Sequence, residues 1–225
     1  NTGKGNDRIE IAALGVNVTL VDSAGTDTLD FSHSATGLSL DLGAASAQKI
    51  FAGDRHTLTL KGTIENVIGT ALDDLIQGNK AANEIRGLGG NDVMMGGDGN
   101  DVLDVVTDVP VDSTGRNLLI GGKGSDTLKG GPGQEILIGG MTKYDGDAKA
   151  IAAIRKYWAS SALADFAARC DGLARGVKYG KKVAALKANA LLDDKAVDTL
   201  LGGAGSDWFF GASQEVQDRN PAEDR

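Results

Sequence analysis

A nine-residue unit that repeats back to back constrains the fold of this chain more than any other feature. Residues 87–104 read GLGGNDVMM and then GGDGNDVLD, with glycines in the first half of each unit. Asp92 and Asp101 fill the sixth place, and Met94 and Leu103 fill the eighth. Such a unit is too short for a helix pair, but it suits a glycine turn followed by a very short strand. The apolar residue of the strand then points into a narrow core.

The same unit recurs along much of the chain. Five units follow one another from residue 60, three from residue 112 and two over 193–210, with single copies at 2–10 and, in part, at 24–31. The eighth place is apolar in all ten units of the three runs. At the apolar composition of 41 %, ten such matches would occur by chance about once in 10⁴ trials. The repeat therefore defines the architecture.

Alternating apolar residues predict further strands before the longest run of units. They occur at 16–20, 38–42 and 58–60, and such alternation is typical of strands with one buried face. The segment 43–56 breaks the alternation, which predicts a loop or a short helical excursion. The register of the units is broken again at 105–111.

Residues 141–192 differ in character, because they are rich in Ala, Lys and Arg and poor in glycine. Apolar residues such as Ile151 and Trp158 recur at helical spacing. This spacing predicts two amphipathic helices, at 147–159 and 161–175, that form a hairpin.

Several details of this helical segment follow from its residue types. Asp145 or Asp147 is predicted to cap the first helix, and a shorter helical piece is predicted around 181–191. Trp158 and Phe166 are predicted to pack the hairpin onto the repeats. A ligand pocket between the two lobes is the alternative for these aromatic residues.

Composition limits the function classes. The formal charge of −8 and the absence of basic stripes argue against nucleic acid and favour cations as partners. Cys170 is the only cysteine, so no intrachain disulfide or thiolate metal cluster is possible. No apolar run is long enough to span a membrane, and no signal peptide is visible. The chain starts with Asn1 and a repeat unit, which predicts that it is a piece of a larger protein.

The unit resembles the RTX, or haemolysin-type, calcium-binding repeat. GGDGNDVLD (96–104), GGKGSDTLK (121–129) and GGAGSDWFF (202–210) match the pattern G-G-x-G-x-D-x-U-x in full, and 87–95 matches with Leu88 and Gly89 exchanged. The stretches AGTDTLDFS and GTIENVIGTALDDLIQGN resemble the lead-in to the β-roll of serralysin-type proteases. The arrangement over 117–210 resembles the C-terminal region of planctomycete RTX-like surface proteins.

The resemblance implies an all-β fold: a parallel β-roll, or β-solenoid, of nonapeptide repeats that is interrupted by an α-helical hairpin insertion. The predicted parts are the roll at 1–140, the insertion at 141–192, packed on the roll, and the last units with a tail at 193–225. The resemblance also implies Ca²⁺ between successive turns on one edge, held by the sixth-place side chains and by turn carbonyls. The implied metal ligands are Asp74, Asn83, Gly89, Asp92, Gly97, Gly99, Asp101, Asn117, Gly122, Gly124, Asp126 and Asp207.

Because successive turns alternate edges, the resemblance implies partners eighteen residues apart. The expected pairs are Asp74 with Asp92, Asn83 with Asp101, and Asn117 with Glu135. Asp126 is expected to pair with a residue just past Gly140, such as Asp145. Asp7 and Asp207 have no in-register neighbour and are expected to be solitary, or to be half of a site completed by more chain or by another copy.

Enzymatic activity has little support in the sequence. The two histidines, His33 and His56, stand in unrelated contexts, and no H-E-x-x-H or G-x-S-x-G elbow is present. Cys170 lies on the apolar face of a predicted helix, where a structural role is expected. The leading hypothesis is therefore a non-catalytic module.

Three functions remain open from the sequence. The first is an extracellular or cell-surface calcium-binding β-roll that folds when Ca²⁺ binds, exported by type I secretion. The second is a surface-layer or filament subunit that stacks head-to-tail on copies of itself or contacts neighbouring surface proteins. The third is an adhesin or substrate-binding module attached to an enzyme. Nucleic-acid binding and membrane insertion are not expected.

Overall fold

The structure, a computed structural model of the chain, describes residues 3–105, 115–163, 165–211 and 215–217. Most of the register break at 105–111 therefore lies outside the described residues. The strands, in chain order, are β1 (Gly3–Lys4), β2 (Arg8–Glu10), β3 (Val18–Ala24), β4 (Thr28–Asp30), β5 (Ser39–Asp41), β6 (Leu58–Lys61), β7 (Asn66–Ile68), β8 (Leu75–Gln77), β9 (Glu84–Arg86), β10 (Val93–Asp98), β11 (Val102–Asp104), β12 (Leu118–Lys123), β13 (Thr127–Lys129), β14 (Ile136–Ile138), β15 (Met141–Thr142), β16 (Val177–Tyr179), β17 (Lys182–Ala184), β18 (Leu191–Leu192), β19 (Thr199–Leu201) and β20 (Trp208–Phe210). The helices are α1 (Ala148–Trp158) and α2 (Phe166–Arg175), and Ala188–Ala190 form one 3₁₀ turn.

Two parallel sheets of short strands form the body of the molecule. Sheet I has the order β20-β14-β12-β10-β8-β5, and sheet II has the order β19-β13-β11-β9-β7-β4-β2. Consecutive units alternate between the sheets, so each strand pairs in register with the strand two units away. Met94, for example, lies beside Ile76 and Leu119. The all-β class and the parallel β-roll are thus confirmed.

A single row of apolar side chains from each sheet fills the space between them. The middle residue of each three-residue strand points inward, and Val67, Ile85 and Leu103 of sheet II meet Ile76 and Met94 of sheet I with no exposed surface. Full burial of such a side chain contributes about 1.5–3 kcal/mol. The eighth place of the unit is therefore the core position.

The N-terminal part adds a third sheet of β1, β3 and β6. The segment 43–56 forms no helix and instead returns along the roll as a loop. Isolated bridges join Phe51 to Leu38 and Gln48 to Leu58. The loop alternative predicted for this segment is therefore the one observed.

Both predicted helices are present, but the second begins later than expected. The Asp147 side chain accepts a hydrogen bond from Ala150 N at 3.2 Å and caps α1. The Asp165 side chain accepts a hydrogen bond from Ala168 N at 3.2 Å and caps α2, so the helix starts at residue 166 and not at 161. A capping aspartate thus overrides the apolar spacing.

The insertion packs on the outer face of sheet I and forms a second apolar core there. Trp158 is fully buried, and its Nε1 donates a hydrogen bond to Gln134 O at 3.1 Å. The ring of Phe166 meets the Trp158 ring edge-on at 5.8 Å between centroids. The predicted packing role of these aromatic residues is therefore observed. The second core includes Val93, Met95, Leu118, Ile120, Ile136, Ile138, Ile151, Ile154, Trp158 and Leu173.

The shorter helical piece predicted around 181–191 is reduced to the 3₁₀ turn at Ala188–Ala190. Strands β16 and β17 form an antiparallel hairpin, with Val177 opposite Ala184, and the only helical geometry nearby is the single 3₁₀ turn. Gly180 has a φ of +59°, which suits the tight loop of such a hairpin. The glycine turn therefore favours a hairpin where the alanine-rich composition predicts a helix.

Candidate metal centre

Polar side chains at the sixth place of the unit line the two edges of the roll, immediately before the strands. The first ladder precedes strands of sheet I and contains Asp74, Asp92, Asn117, Glu135 and Asp207. The second ladder precedes strands of sheet II and contains Asp7, Asp27, Glu65, Asn83, Asp101, Asp126 and Asp198.

We call each sixth-place residue of a ladder a rung. Within a ladder, one side-chain oxygen of a rung accepts a hydrogen bond from the backbone N–H of the preceding rung. Asp101 N donates to Asp126 Oδ1 at 2.8 Å, and Asp126 N donates to Asp198 Oδ1 at 2.9 Å. On the other edge, Asp74 N donates to Asp92 Oδ1 at 2.9 Å. These bonds fix the side chains at the edge and orient their second oxygens.

The second oxygen of six ladder carboxylates has no hydrogen-bond partner among the described residues. All six atoms are buried, and burying an ionised oxygen without a partner is strongly unfavourable. The fold at neutral pH therefore calls for a proton or a cation at these atoms. They are Oδ2 of Asp7, Asp27, Asp92, Asp101 and Asp126, and Oε2 of Glu135.

The glycine at the first place of the unit leaves the room that this second oxygen occupies. A Cβ at Gly87 would stand 2.5 Å from Asp92 Oδ2, and one at Gly121 would stand 2.5 Å from Asp126 Oδ2. The carbonyl oxygen of Gly121 would likewise lie 2.5 Å from a Cβ at Gly96. A glycine at the first place is thus required for the carboxylate at the sixth place to fit. Carboxylate and carbonyl oxygens both lie close to this glycine.

The glycines of the second and fourth places give the turn its conformation. Gly97, Gly99, Gly122 and Gly124 have φ values between +109° and +124°. A residue with a side chain adopts such values only with strain. The turns stack directly, because Gly99 N donates to the carbonyl of Lys123 at 2.8 Å. The two turns that carry these four glycines are therefore stacked, and they immediately precede Asp101 and Asp126 in the chain.

The turn at 87–92 departs from the prediction. Leu88 (φ +73°) and Gly90 (φ +107°) take the left-handed positions, whereas Gly89 does not. Gly89 N donates to Thr70 O at 3.2 Å. Leu88 is therefore the conformational equivalent of Gly97, and Gly89 is not.

Two rungs carry an amide in place of a carboxylate. At these rungs the amide nitrogen donates a hydrogen bond to an oxygen of a neighbouring rung. Asn117 Oδ1 accepts from Asp92 N at 2.8 Å, while Asn117 Nδ2 donates to Glu135 Oε1 at 3.2 Å. Asn83 Nδ2 donates to Glu65 O at 2.9 Å. The amide side chains of Asn83 and Asn117 are therefore hydrogen-bonded within the fold.

Asp74 is also satisfied by its surroundings. Thr70 N donates to Asp74 Oδ2 at 2.6 Å, and Leu38 N donates to Asp74 Oδ1 at 2.7 Å. The Thr70 hydroxyl also donates to Oδ1 at 2.8 Å. Asp74 therefore differs from Asp92, Asp101 and Asp126.

The structure brings together three of the expected pairs and corrects the others. Asp74 meets Asp92, Asn83 meets Asp101, and Asn117 meets Glu135. The expected pairing of Asp126 with Asp145 is wrong, because Asp145 accepts from Thr142 N at 2.8 Å.

The partners that sequence reasoning missed lie across the insertion. Asp126 meets Asp198, and Glu135 N donates to Asp207 Oδ1 at 2.9 Å. Asp207 is therefore not solitary, and neither is Asp7, whose N–H donates to Asp27 Oδ1 at 2.8 Å. Counting units, and not residues, predicts these contacts, because the alternation of edges resumes after the insertion.

Burial changes the acidity of the ladder carboxyls. Removal from water raises the pKa of Asp92 well above its usual value, and the nearby charge of Asp74 adds to the effect. Burial likewise raises the pKa to about 6 for Asp74 and Asp198, to about 7 for Asp101, to about 8 for Asp126 and to about 9 for Glu135. Near neutral pH, protons and cations therefore compete for these carboxyl groups.

The donor set fits a hard divalent cation. Ca²⁺ prefers six to eight oxygen ligands, and the ladders offer buried carboxylate oxygens beside crowded turn carbonyls. In the part of the chain that the structure describes, no three His, Cys, Asp or Glu side chains converge on one point. Any cation would therefore be held by one or two carboxylates together with the backbone.

No helix in the described residues is long and apolar enough to cross a membrane.

Comparison with known proteins agrees with this geometry. The family model of the RTX calcium-binding nonapeptide repeat matches in four copies, over residues 68–103, 112–141 and 194–214. These ranges include the rungs from Asp74 to Asp126 and the two rungs beyond the insertion. No curated protein matches the chain. RTX nonapeptide repeats bind Ca²⁺, and this chain carries four copies of the RTX, haemolysin-type, calcium-binding repeat.

Proposed function

We propose that the chain is an extracellular, non-catalytic calcium-binding β-roll module whose folding is completed by Ca²⁺. The observation that carries the proposal is the set of six buried ladder oxygens without a hydrogen-bond partner among the described residues. A carboxylate in that position is stabilised by a cation, and binding free energy then becomes folding free energy.

The cation sites are assigned to the rungs that need a cation. Asp101 and Asp126, beside the glycine turns of the second ladder, are the principal ligands, and Asp92 is the ligand on the first ladder. Calcium would supply the positive charge that these oxygens lack. Asp207 and the carbonyls of the second- and fourth-place glycines are proposed as further ligands.

The amide rungs are assigned a different role. Asn83 and Asn117, both predicted as metal ligands, already satisfy their neighbours through Nδ2. Asp74 is satisfied by Thr70 and Leu38. We therefore assign these three rungs to the fold that exists before calcium binds.

Folding coupled to calcium can be tested by circular dichroism. Titration of the chelator-treated chain with Ca²⁺ is expected to increase the β-sheet signal, with a midpoint of about 10⁻⁴–10⁻³ M, the range of extracellular modules. Magnesium is the control, because it demands a smaller octahedral site and loses its water reluctantly. A β-sheet signal that does not change up to about 10 mM Ca²⁺ would contradict the proposal.

Replacement of Asn117 by Asp tests the amide rung. In chelator, the free energy of unfolding is expected to fall by about 1–2 kcal/mol, because the Nδ2 donor to Glu135 is lost and a second carboxyl faces it. Added calcium is expected to restore the loss. Asn189→Asp, on the exposed surface of the insertion, is the control. Urea unfolding measures both, and an equal loss in chelator and in calcium would argue against the assignment.

Calcium binding is expected to release protons. The folded pKa values of Asp101 and Asp126, about 7 and 8, lie above their ordinary value, so protonation stabilises the metal-free fold. That stability is fully present below about pH 4 and is lost as the pH rises through the folded pKa values.

Displacement by calcium near pH 7 should therefore release about one proton per ion. A pH electrode in weakly buffered solution measures this release. Titration at pH 9.5, where the carboxyls of Asp101 and Asp126 are already ionised, is the control. Binding without proton release at pH 7 would contradict the assigned ligands.

The extracellular, non-catalytic part of the proposal rests on separate support. RTX repeats are typical of secreted proteins, and export by type I secretion fits a module whose folding is completed where calcium is abundant. Cys170 is buried, and His56 Nδ1 lies 3.0 Å from the backbone oxygen of Leu14. The insertion at 141–192 is proposed as an attached lobe of the roll.

The alternative of head-to-tail stacking draws less support from the two ends of the roll. Strand β5, at one end of sheet I, is covered by the loop, because Ser39 N donates to Ile50 O at 2.8 Å. At the C-terminal end of the roll, β19 is the last strand of sheet II. Its edge is covered in part, because Leu200 N donates a hydrogen bond to Glu215 O at 2.9 Å. Light scattering in calcium separates the alternatives: particles that grow with protein concentration would favour a filament.

A further inference from the structure

The insertion carries a charge opposite to that of the roll. Residues 141–192 contain ten Lys and Arg against four Asp, within a chain whose net charge is −8. Eight of the ten basic side chains are exposed, and of these only Lys182 forms an ion pair, with Asp147, among the described residues. The exposed basic residues are Lys143, Lys149, Lys156, Arg175, Lys178, Lys181, Lys182 and Lys187.

Outside the insertion, 27 acidic residues outnumber 13 basic ones, and some of these basic side chains are paired with acidic neighbours. Arg8 pairs with Asp30, and Lys123 pairs with Asp98 at 2.8 Å. Local neutralisation of this kind leaves little net field. The positive field of the molecule is therefore concentrated on the insertion.

A groove of about 520 Å³ runs between α1 and β16, within this basic region. Lys156 and Lys178 stand on its walls, Tyr157 and Ser160 add hydroxyl groups, and Leu163 contributes apolar surface. Among the described residues, no acidic side chain lines this groove. Its volume lies within the range of about 300–1,000 Å³ that is usual for ligand sites. The groove is therefore suited to an anion with polar groups along its length.

The side chains around the groove select among anionic partners. The aromatic rings nearby are buried or half-buried, so the stacking platforms of single-strand nucleic-acid proteins are missing from the described part of the insertion. Val183 and Leu192 are its only large exposed apolar residues, which gives a membrane little to bury. Lysine is a compact point charge on a flexible stem, and it suits separate anionic groups along a hydrated polymer.

We infer that the groove between α1 and β16 binds a linear polysaccharide that carries carboxylate or sulfate groups, with Lys156 and Lys178 as its main contacts. Lys149 lies seven residues before Lys156 on the same face of α1, and Arg175 directly precedes the groove residue Gly176. Both extend the contact along the polymer.

The overall negative charge does not oppose this binding. On the proposed function, calcium ions at Asp92, Asp101 and Asp126 offset part of the negative charge of the roll. The calcium-loaded molecule would then carry its net positive field on the insertion, and polymer binding is expected to be stronger in calcium than in chelator.

Biolayer interferometry with immobilised heparin and polygalacturonate tests the inference, with neutral dextran as the blank. We expect saturable binding that weakens with NaCl, and a loss of about tenfold or more in affinity for the Lys156→Glu/Lys178→Glu variant. Lys49→Glu/Lys61→Glu, which makes the same charge change on the roll, is expected to change the affinity less than about twofold.

Equal losses for the two variants, or wild-type binding no stronger than to dextran, would overturn the inference. So would tighter binding to phosphatidylserine vesicles or to an oligonucleotide. Each sample is also titrated with calcium by circular dichroism. An intact calcium response without polymer binding removes only this inference, and polymer binding without a calcium response removes only the proposed function.

Discussion

Replacement of Asp101 and Asp126 by Asn should raise the calcium concentration needed for folding by about two powers of ten, a loss of about 2.7 kcal/mol in binding. Each Asn keeps an oxygen for the ladder bond from the preceding N–H, but it removes the oxygen that has no other partner. A circular dichroism titration with calcium measures the change.

The same variant should be more stable than the wild type in chelator. Burial raises the pKa of both carboxyls, so at pH 8 part of their population is ionised without a cation, and a neutral amide avoids that penalty. Asp104→Asn, which removes a carboxylate from the outer face of sheet II and not from a ladder, is the control and should change neither quantity by much. A variant that is destabilised equally in both conditions would show that the two aspartates serve the turn alone.

Replacement of Gly121 by Ala should destabilise the roll by about 3 kcal/mol. The new Cβ would stand 2.5 Å from Asp126 Oδ2 and would also meet the carbonyl of Gly139 in the next turn. Neither group can retreat, because Asp126 is held by its ladder bond and Gly139 lies in the stacked backbone. Urea unfolding in calcium measures the loss, together with weaker calcium binding at Asp126.

Gly15→Ala is the matched control. A Cβ at Gly15 would meet no atom within 4 Å, and its φ is not in the left-handed region, so its effect should stay within about 0.5 kcal/mol. Similar losses for the two variants would mean that the general entropy of glycine, and not the space kept for the carboxylate, explains the need for glycine at position 121.

The repeat unit made the roll predictable from sequence. The eighth place identified the core, because residues such as Val67 and Leu103 can be buried only in that register. The sixth place identified the ladders, because polar residues recur there in the same register. The pairing across the insertion was not predicted, since Asp126 and Asp198 are neighbours only if edges are counted by units.

The remaining errors came from local interactions that override composition. Asp165 moved the start of α2, and Gly180 replaced a helical piece with a hairpin. The distinction between rungs was also hidden in the sequence. Whether a carboxylate oxygen has a hydrogen-bond donor depends on residues that the repeat pattern does not specify. Thr70, for example, donates hydrogen bonds to both oxygens of Asp74.

The most direct test of the central claim is a crystal structure grown in calcium, with anomalous difference maps to locate the ions. We predict peaks beside Asp92, Asp101 and Asp126, at their second carboxylate oxygens. Maps with no ion at Asp101 and Asp126, in crystals that contain millimolar calcium, would contradict the account.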